Sequence, residues 1–201
     1  DLSIYKNHLR VLNVDEIVNS KNLPFFVVNS VGDAPDLLLG DGKADAGNGS
    51  VTLRSALQEA NAFSGRQIIY FYLPGSAPYI IQPGSALPSI TEQVNLNATT
   101  QKGYLGTPLV RVNGSFAGFN ITGGLTSVRG LEINSPSGYS LTLSSAGGNN
   151  IESNRIAGIS INSSENNING NTVSNSMANG ISINSGAIDN LLGNSSANNI
   201  T

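Results

Sequence analysis

With 201 residues, a net charge of −3 and only 11% charged residues, the chain offers no basic surface for a phosphate backbone or an anionic bilayer, so nucleic acid is not an expected partner. Cysteine is absent, which removes disulfides, thiolate chemistry and sulfur-ligated metals, and no apolar run approaches the roughly 18 residues of a membrane span. The length suits one domain with a substantial core, and the crowding of Asn, Ser and Gly in the last quarter points to strands and turns rather than helices.

Residues 1–26 read as an N-terminal arm, in which NVDEIV from Asn13 has the pattern of a short helix and LPFFVVN from Leu23 that of a strand. The single histidine, His8, stands in this arm; with no second histidine a His-based catalytic pair or zinc site cannot be built. Residues 27–66 form a capping segment. Its Gly-rich loop carries Asp33, Asp36, Asp41 and Asp45. Oxygen ligands on a flexible loop suit Ca²⁺, yet the spacing is not that of an EF-hand and no bidentate Glu closes the set, so Asp residues capping local turns are the preferred reading and calcium the alternative. After the loop, Leu53, Ala56, Leu57 and Ala60 recur at helical spacing behind Thr52 as N-cap, with Gly65 as a stop, which predicts an amphipathic helix over 52–63.

From residue 67 onward the chain reads as strands: IIYFYLP from Ile68, YIIQP from Tyr79, VNLNA from Val94 and LVRVN from Leu109. Tyr70 and Tyr72 alternate with Ile69, Phe71 and Leu73, so one sheet face carries two tyrosines, either covered by the cap or available to stack on a sugar; burial is preferred. A repeat then appears. VRGLEI from Val128, IESNRI from Ile151, INGNTV from Ile168 and LLGNSS from Leu191 align with apolar ends around a small, bending middle, their fourth column ending in Asn154, Asn171 and Asn194. FNIT from Phe119, LTLS from Leu141, ISIN from Ile159, ISIN from Ile181 and a final IT at Ile200 interleave with them, alternating at period two, which sends Ile159 and Ile161 inward and Ser160 outward. Two strands in about 20 residues leave no room for a crossover helix, so the pattern specifies an all-β, right-handed parallel β-helix with the short helix as its cap. In-register stacking pairs Arg129 with Glu152 and Glu132 with Arg155 on the outer face.

VVNSVGDAPDLLLGDGKADAGNGSVTLRSALQEANA, IYFYLPGSAPYIIQPGSALPSIT and SVRGLEIN resemble bacterial right-handed parallel β-helix proteins that carry an N-terminal CSLREAI-type motif, and the resemblance spans residues 27–201. It implies an exported, adhesin-like setting, extracellular or at the cell surface, and no reaction. That family commonly places cysteines where this chain has Ala44 and Val51; the paired loss implies a cap held by packing alone.

The expected function is therefore a non-enzymatic extracellular structural or adhesive module, with no residue assigned to catalysis. A carbohydrate-active lyase or hydrolase is the alternative, since such chemistry needs clustered carboxylates and residues 67–201 offer Glu92, Glu132, Glu152, Glu165 and Asp189. The expected partners are a glycan or other cell-surface ligand and further copies of the chain. Ile181 and Ile183 present an apolar edge near the C-terminal end, and the arm is the natural strand to bridge such a joint and extend it into a filament. Seven Asn-X-Ser/Thr sequons, at Asn48, Asn97, Asn113, Asn120, Asn162, Asn194 and Asn199, matter only if the source glycosylates exported proteins.

Overall fold

The computed structural model describes residues 25–136, 138–174 and 180–193, together with the backbone of 199–200. His8, the NVDEIV segment and Asn194 lie outside the described residues.

The chain winds as a right-handed parallel β-helix with three sheets rather than the two strands per repeat that the hexapeptide pattern suggests. The strands are β1 (Phe25–Val28), β2 (Gln67–Phe71), β3 (Tyr79–Ile81), β4 (Val94–Asn97), β5 (Val110–Asn113), β6 (Phe119–Ile121), β7 (Ser127–Arg129), β8 (Leu131–Asn134), β9 (Leu141–Leu143), β10 (Asn150–Glu152), β11 (Arg155–Ile156), β12 (Ile159–Ile161), β13 (Asn167–Asn169), β14 (Thr172–Val173), β15 (Ile181–Ile183), β16 (Leu191–Leu192) and β17 (Asn199–Ile200). The first sheet runs β1-β2-β4-β7-β10-β13-β16, the second β3-β5-β8-β11-β14-β17 and the third β6-β9-β12-β15. Each hexapeptide is thus two strands with a corner between them, as β7 and β8 flank Gly130. Gly130 is held left-handed at φ 74°, and a Cβ there would meet Thr99 at 2.7 Å, so glycine is required.

Inward side chains stack in columns. Leu96, Val128, Ile151 and Ile168 pair in register and are fully buried. The fourth hexapeptide departs from its predicted register by one residue: Ile168 pairs with Leu192, and Leu191 with Asn167. Both leucines lie on the last described coil, 48% and 42% exposed. Ile200 also changes place, pairing with Val173 in the second sheet rather than continuing the Ile159–Ile181 column of the third.

The corners are held by asparagine. Asn149, Asn166 and Asn190 follow the corner into the first sheet, each accepting through Oδ1 the backbone N–H one coil earlier, from Thr126 at 3.1 Å, Asn149 at 3.0 Å and Asn166 at 2.9 Å. At the next corner Asn154 accepts from Leu131 N at 3.0 Å and Asn171 from Asn154 N at 3.0 Å, while their amides donate to the carbonyls of Val128 and Ile151 at 2.8 and 2.7 Å. Asn149, Asn154, Asn166 and Asn171 are almost wholly buried. The buried turn groups that strand pairing cannot reach are thereby satisfied.

The cap is helix α1 (Leu53–Asn61), within the predicted 52–63. Thr52 and Ser55 close a capping box, each side chain accepting the other's backbone N–H at 3.0 Å. The helix ends at Ala62, ahead of left-handed Gly65. Leu53, Ala56, Leu57 and Ala60 are buried as the spacing predicts, but so are Ser55 and Glu59, because the acidic loop covers the other face. Packing alone does not hold this cap. Arg54 forks onto Asp33 at 3.0 and 2.9 Å and donates to the carbonyls of Ser85 and Ala86, both at 2.8 Å, fastening the helix to the first coil. The boundary drawn between arm and cap at residues 26 and 27 falls inside β1, which pairs in parallel with β2 of its own chain.

Replacing Asn154 by Ala removes the side-chain acceptor of the Leu131 N–H and the amide that donates to the Val128 carbonyl and to Asn171 Oδ1, and is expected to cost about 2–4 kcal/mol in urea unfolding. Leu192→Ala, on the half-exposed last coil, should cost less than about 1 kcal/mol by the same measurement.

Candidate functional site

The four aspartates of the cap loop do not converge. Asp33 is taken by Arg54 and by Gly84 N at 2.8 Å, Asp41 accepts from Lys43 N at 2.8 Å and Asp45 from Gly47 N at 2.8 Å, each closing a local turn. Among the described residues no three His, Cys, Asp or Glu side chains gather as a metal-holding group. Asp36 instead meets Glu59, which the sequence pattern did not single out. Glu59 is fully buried and accepts Gly40 N at 2.6 Å and Gly42 N at 2.5 Å. Neither carboxylate oxygen of Asp36 accepts a well-formed hydrogen bond, though both are buried. Burial, then hydrogen bonding and charge repulsion from Glu59, push the Asp36 pKa up, with the N–H groups of Leu38 and Leu37 opposing only in part. The proton on Asp36 is therefore held more tightly than on a free carboxyl.

Tyr70 and Tyr72 are partly buried. Tyr70 packs against Phe25 on the neighbouring strand, ring centroids 6.5 Å apart, so β1 rather than the helix is its cover. Ala44 and Val51 both line a recess of about 270 Å³ between β1 and the cap loop, with Phe25 and Lys43 on its walls.

The coils place their charges by register. Arg129 meets Glu152 at 3.3 Å, as the stacked hexapeptides predict. Glu132 approaches Arg155 at 3.9 Å but lies closer to Arg111, at 3.0 Å, and also accepts from Asn134 Nδ2 at 3.0 Å. Glu132 therefore serves two arginines, leaving one positive charge in excess. Tyr104, in the loop after β4, lies near the first pair: burial raises its pKa, Arg129 lowers it and Glu152 raises it.

At the corner between the first and second sheets, Ser153, Asn154 and Arg155 of one coil, Gly170 and Thr172 of the next, and Gly106, Thr107 and Pro108 of the projecting loop enclose a polar recess of about 170 Å³. The recess follows from the small third column of the repeat: Gly130 is covered by Thr99, while Ser153 and Gly170 leave the corner open. Ser153 adopts φ 57°, between Gly130 at 74° and Gly170 at 61°.

At the other corner, Glu165 and Asp189 share a column just before Asn166 and Asn190, both left-handed and exposed. The sequence spacing named both residues but did not reveal that they stack.

No family model matches the chain, and neither a curated protein nor a solved structure matches it. Among the described residues no helix is long and apolar enough to cross a membrane.

The Asp36 pair makes stability depend on pH. A raised folded-state pKa contributes stability fully present below the ordinary carboxylate value and lost as pH rises through the raised one. Thermal unfolding between acid and neutral pH is expected to show this decline in the native chain. Asp36→Asn, which keeps a donor toward Glu59 without a charge, should flatten it and raise the neutral-pH midpoint.

Proposed function

We propose that this chain is a non-enzymatic structural or adhesive β-helix module of the extracellular space or cell surface, which presents a ligand-binding flank and associates with further copies. The observation that carries the reading is how the middle coils use their charge. Glu132 and Glu152 are engaged by Arg111, Arg155 and Arg129 across successive rungs, an arrangement that supports register and occupies two of the five carboxylates that residues 67–201 offer for glycan cleavage. The CSLREAI-like cap supports the exported setting. Self-association is supported by exposed apolar side chains in the last described coil, where Ile183, Ile188, Leu191 and Leu192 are each more than 40% exposed.

One observation favours a carbohydrate-active enzyme instead: the column shared by Glu165 and Asp189 sets two exposed carboxylates on adjacent coils, the kind of pair that glycoside hydrolysis employs. Incubation with pectins, alginates and other acidic glycans separates the readings. The module is expected to release no new reducing ends or unsaturated products, and to show concentration-dependent self-assembly by light scattering and electron microscopy. Turnover abolished by Glu165→Gln or Asp189→Asn would replace it with the enzymatic reading.

A further inference from the structure

The recess at the corner of the first two sheets has the chemistry of a binding subsite. Its second-sheet rim carries the Arg155 guanidinium, whose ion pair with Glu132 is long, at 3.9 Å, and shared with the nearer Arg111 at 3.0 Å. Three hydroxyl-bearing residues surround it, Thr107, Ser153 and Thr172. Ser153 is the informative one. Its column requires a left-handed backbone, and the coils on either side answer with Gly130 and Gly170; serine is strained in that conformation and glycine is not. A hydroxyl is therefore kept at conformational cost, on an exposed position that lines the recess, and strain retained at an exposed concavity points to function. At about 170 Å³ the space is smaller than the roughly 300 Å³ at which drug-sized sites begin, so it takes one small unit.

We propose that this corner recess binds a single carboxylate-bearing sugar unit of an acidic glycan, with Arg155 taking the carboxylate and Thr107, Ser153 and Thr172 the ring hydroxyls. The ligand's negative charge offsets the surplus positive charge of the Arg111–Glu132–Arg155 group, and a guanidinium fork matches a carboxylate. The site rests on the adhesive-module reading and supplies it with a ligand class.

The test is titration of the full chain with galacturonate oligomers, read by amide chemical shifts and calorimetry, with neutral glucose oligomers and inorganic sulfate as comparison ligands. Shifts are expected at Thr107, Ser153, Arg155 and Thr172 with the uronate alone. Arg155→Gln and Ser153→Gly should each weaken binding by about tenfold or more, the loss of a charge-assisted or neutral hydrogen bond. Ser153→Gly should leave the unfolding midpoint equal or higher, which separates lost contact from lost fold. Equal binding of the neutral oligomer, shifts elicited by sulfate alone, or an affinity unchanged in both variants overturns the subsite. Shifts at these residues accompanied by turnover support the subsite and overturn only the non-enzymatic reading.

Discussion

A coil of a β-helix must turn sharply at each corner while the residues at the turn stay buried, and a buried backbone N–H without a partner costs as much as several packed methyl groups contribute. The asparagine columns meet that constraint. Asn149, Asn166 and Asn190 at one corner, and Asn154 and Asn171 at the next, each accept the turn N–H of the preceding coil. Each bond joins two coils, so the ladder fixes register as well as satisfying the turn. The apolar columns exclude a one-residue slip, which would turn them toward solvent, but they discriminate poorly against a two-residue shift that keeps Ile, Leu and Val on the inner face. With the ladder in place, Glu132 finds Arg111 and Arg155 and Glu152 finds Arg129; these pairs follow from the register and reinforce it.

The parts of the fold that were legible in the sequence are those in which a residue type answers a repeated local demand. Aligned hexapeptides exposed the Asn154–Asn171 column and the buried Val128–Ile151–Ile168 column, because each coil needs the same side chain at the same corner. Two features escaped for physical reasons. A hexapeptide that bends in the middle reads as one strand, so the first and second sheets merged in the pattern, and the short IT at Ile200, which pairs with Val173 in the second sheet, reads like the strands of the third. In the last coil two consecutive leucines fit either register; Asn190, which accepts from Asn166 at 2.9 Å and takes its amide at 2.7 Å, selects the one that puts Leu192 under Ile168.

The cap shows the opposite balance. Its helix was legible from the spacing of Leu53, Ala56, Leu57 and Ala60, but helical periodicity assigns Arg54 and Glu59 to solvent, and both are buried. What overrides the pattern is the loop from Asp33 to Ser50, which turns its backbone donors inward. Gly40 and Gly42, both left-handed, present their N–H groups to one carboxylate, and a carboxylate receiving such bonds tolerates burial that it could not otherwise bear. An acidic loop that reads as a calcium ligand set is thus organised around an acid on the helix it covers, with Asp36 drawn into contact and its pKa raised as a consequence. Long-range closure of this kind leaves no periodic trace in the sequence.

The same corner logic explains where chemistry can be added to such a scaffold. At the corner into the first sheet, Leu125, Gly148, Glu165 and Asp189 occupy the left-handed position immediately before Thr126 and the asparagines; at the next corner Gly130, Ser153 and Gly170 do so. The left-handed residues Leu125, Gly148, Ser153 and Glu165 bond to the next coil through their backbone N–H groups, so no side chain is needed there for the turn, and the side chains of Leu125, Ser153, Glu165 and Asp189 are exposed. Glycine is the least strained occupant, so every other side chain there persists against a conformational preference. Interior columns cannot carry such variation without opening cavities, and strand faces are tied by cross-rung pairs. Ser153 at one corner, and Glu165 with Asp189 at the other, are therefore the positions where the scaffold can differ between coils without disturbing the ladder, and where a binding or reacting group is tolerated at least cost to the fold.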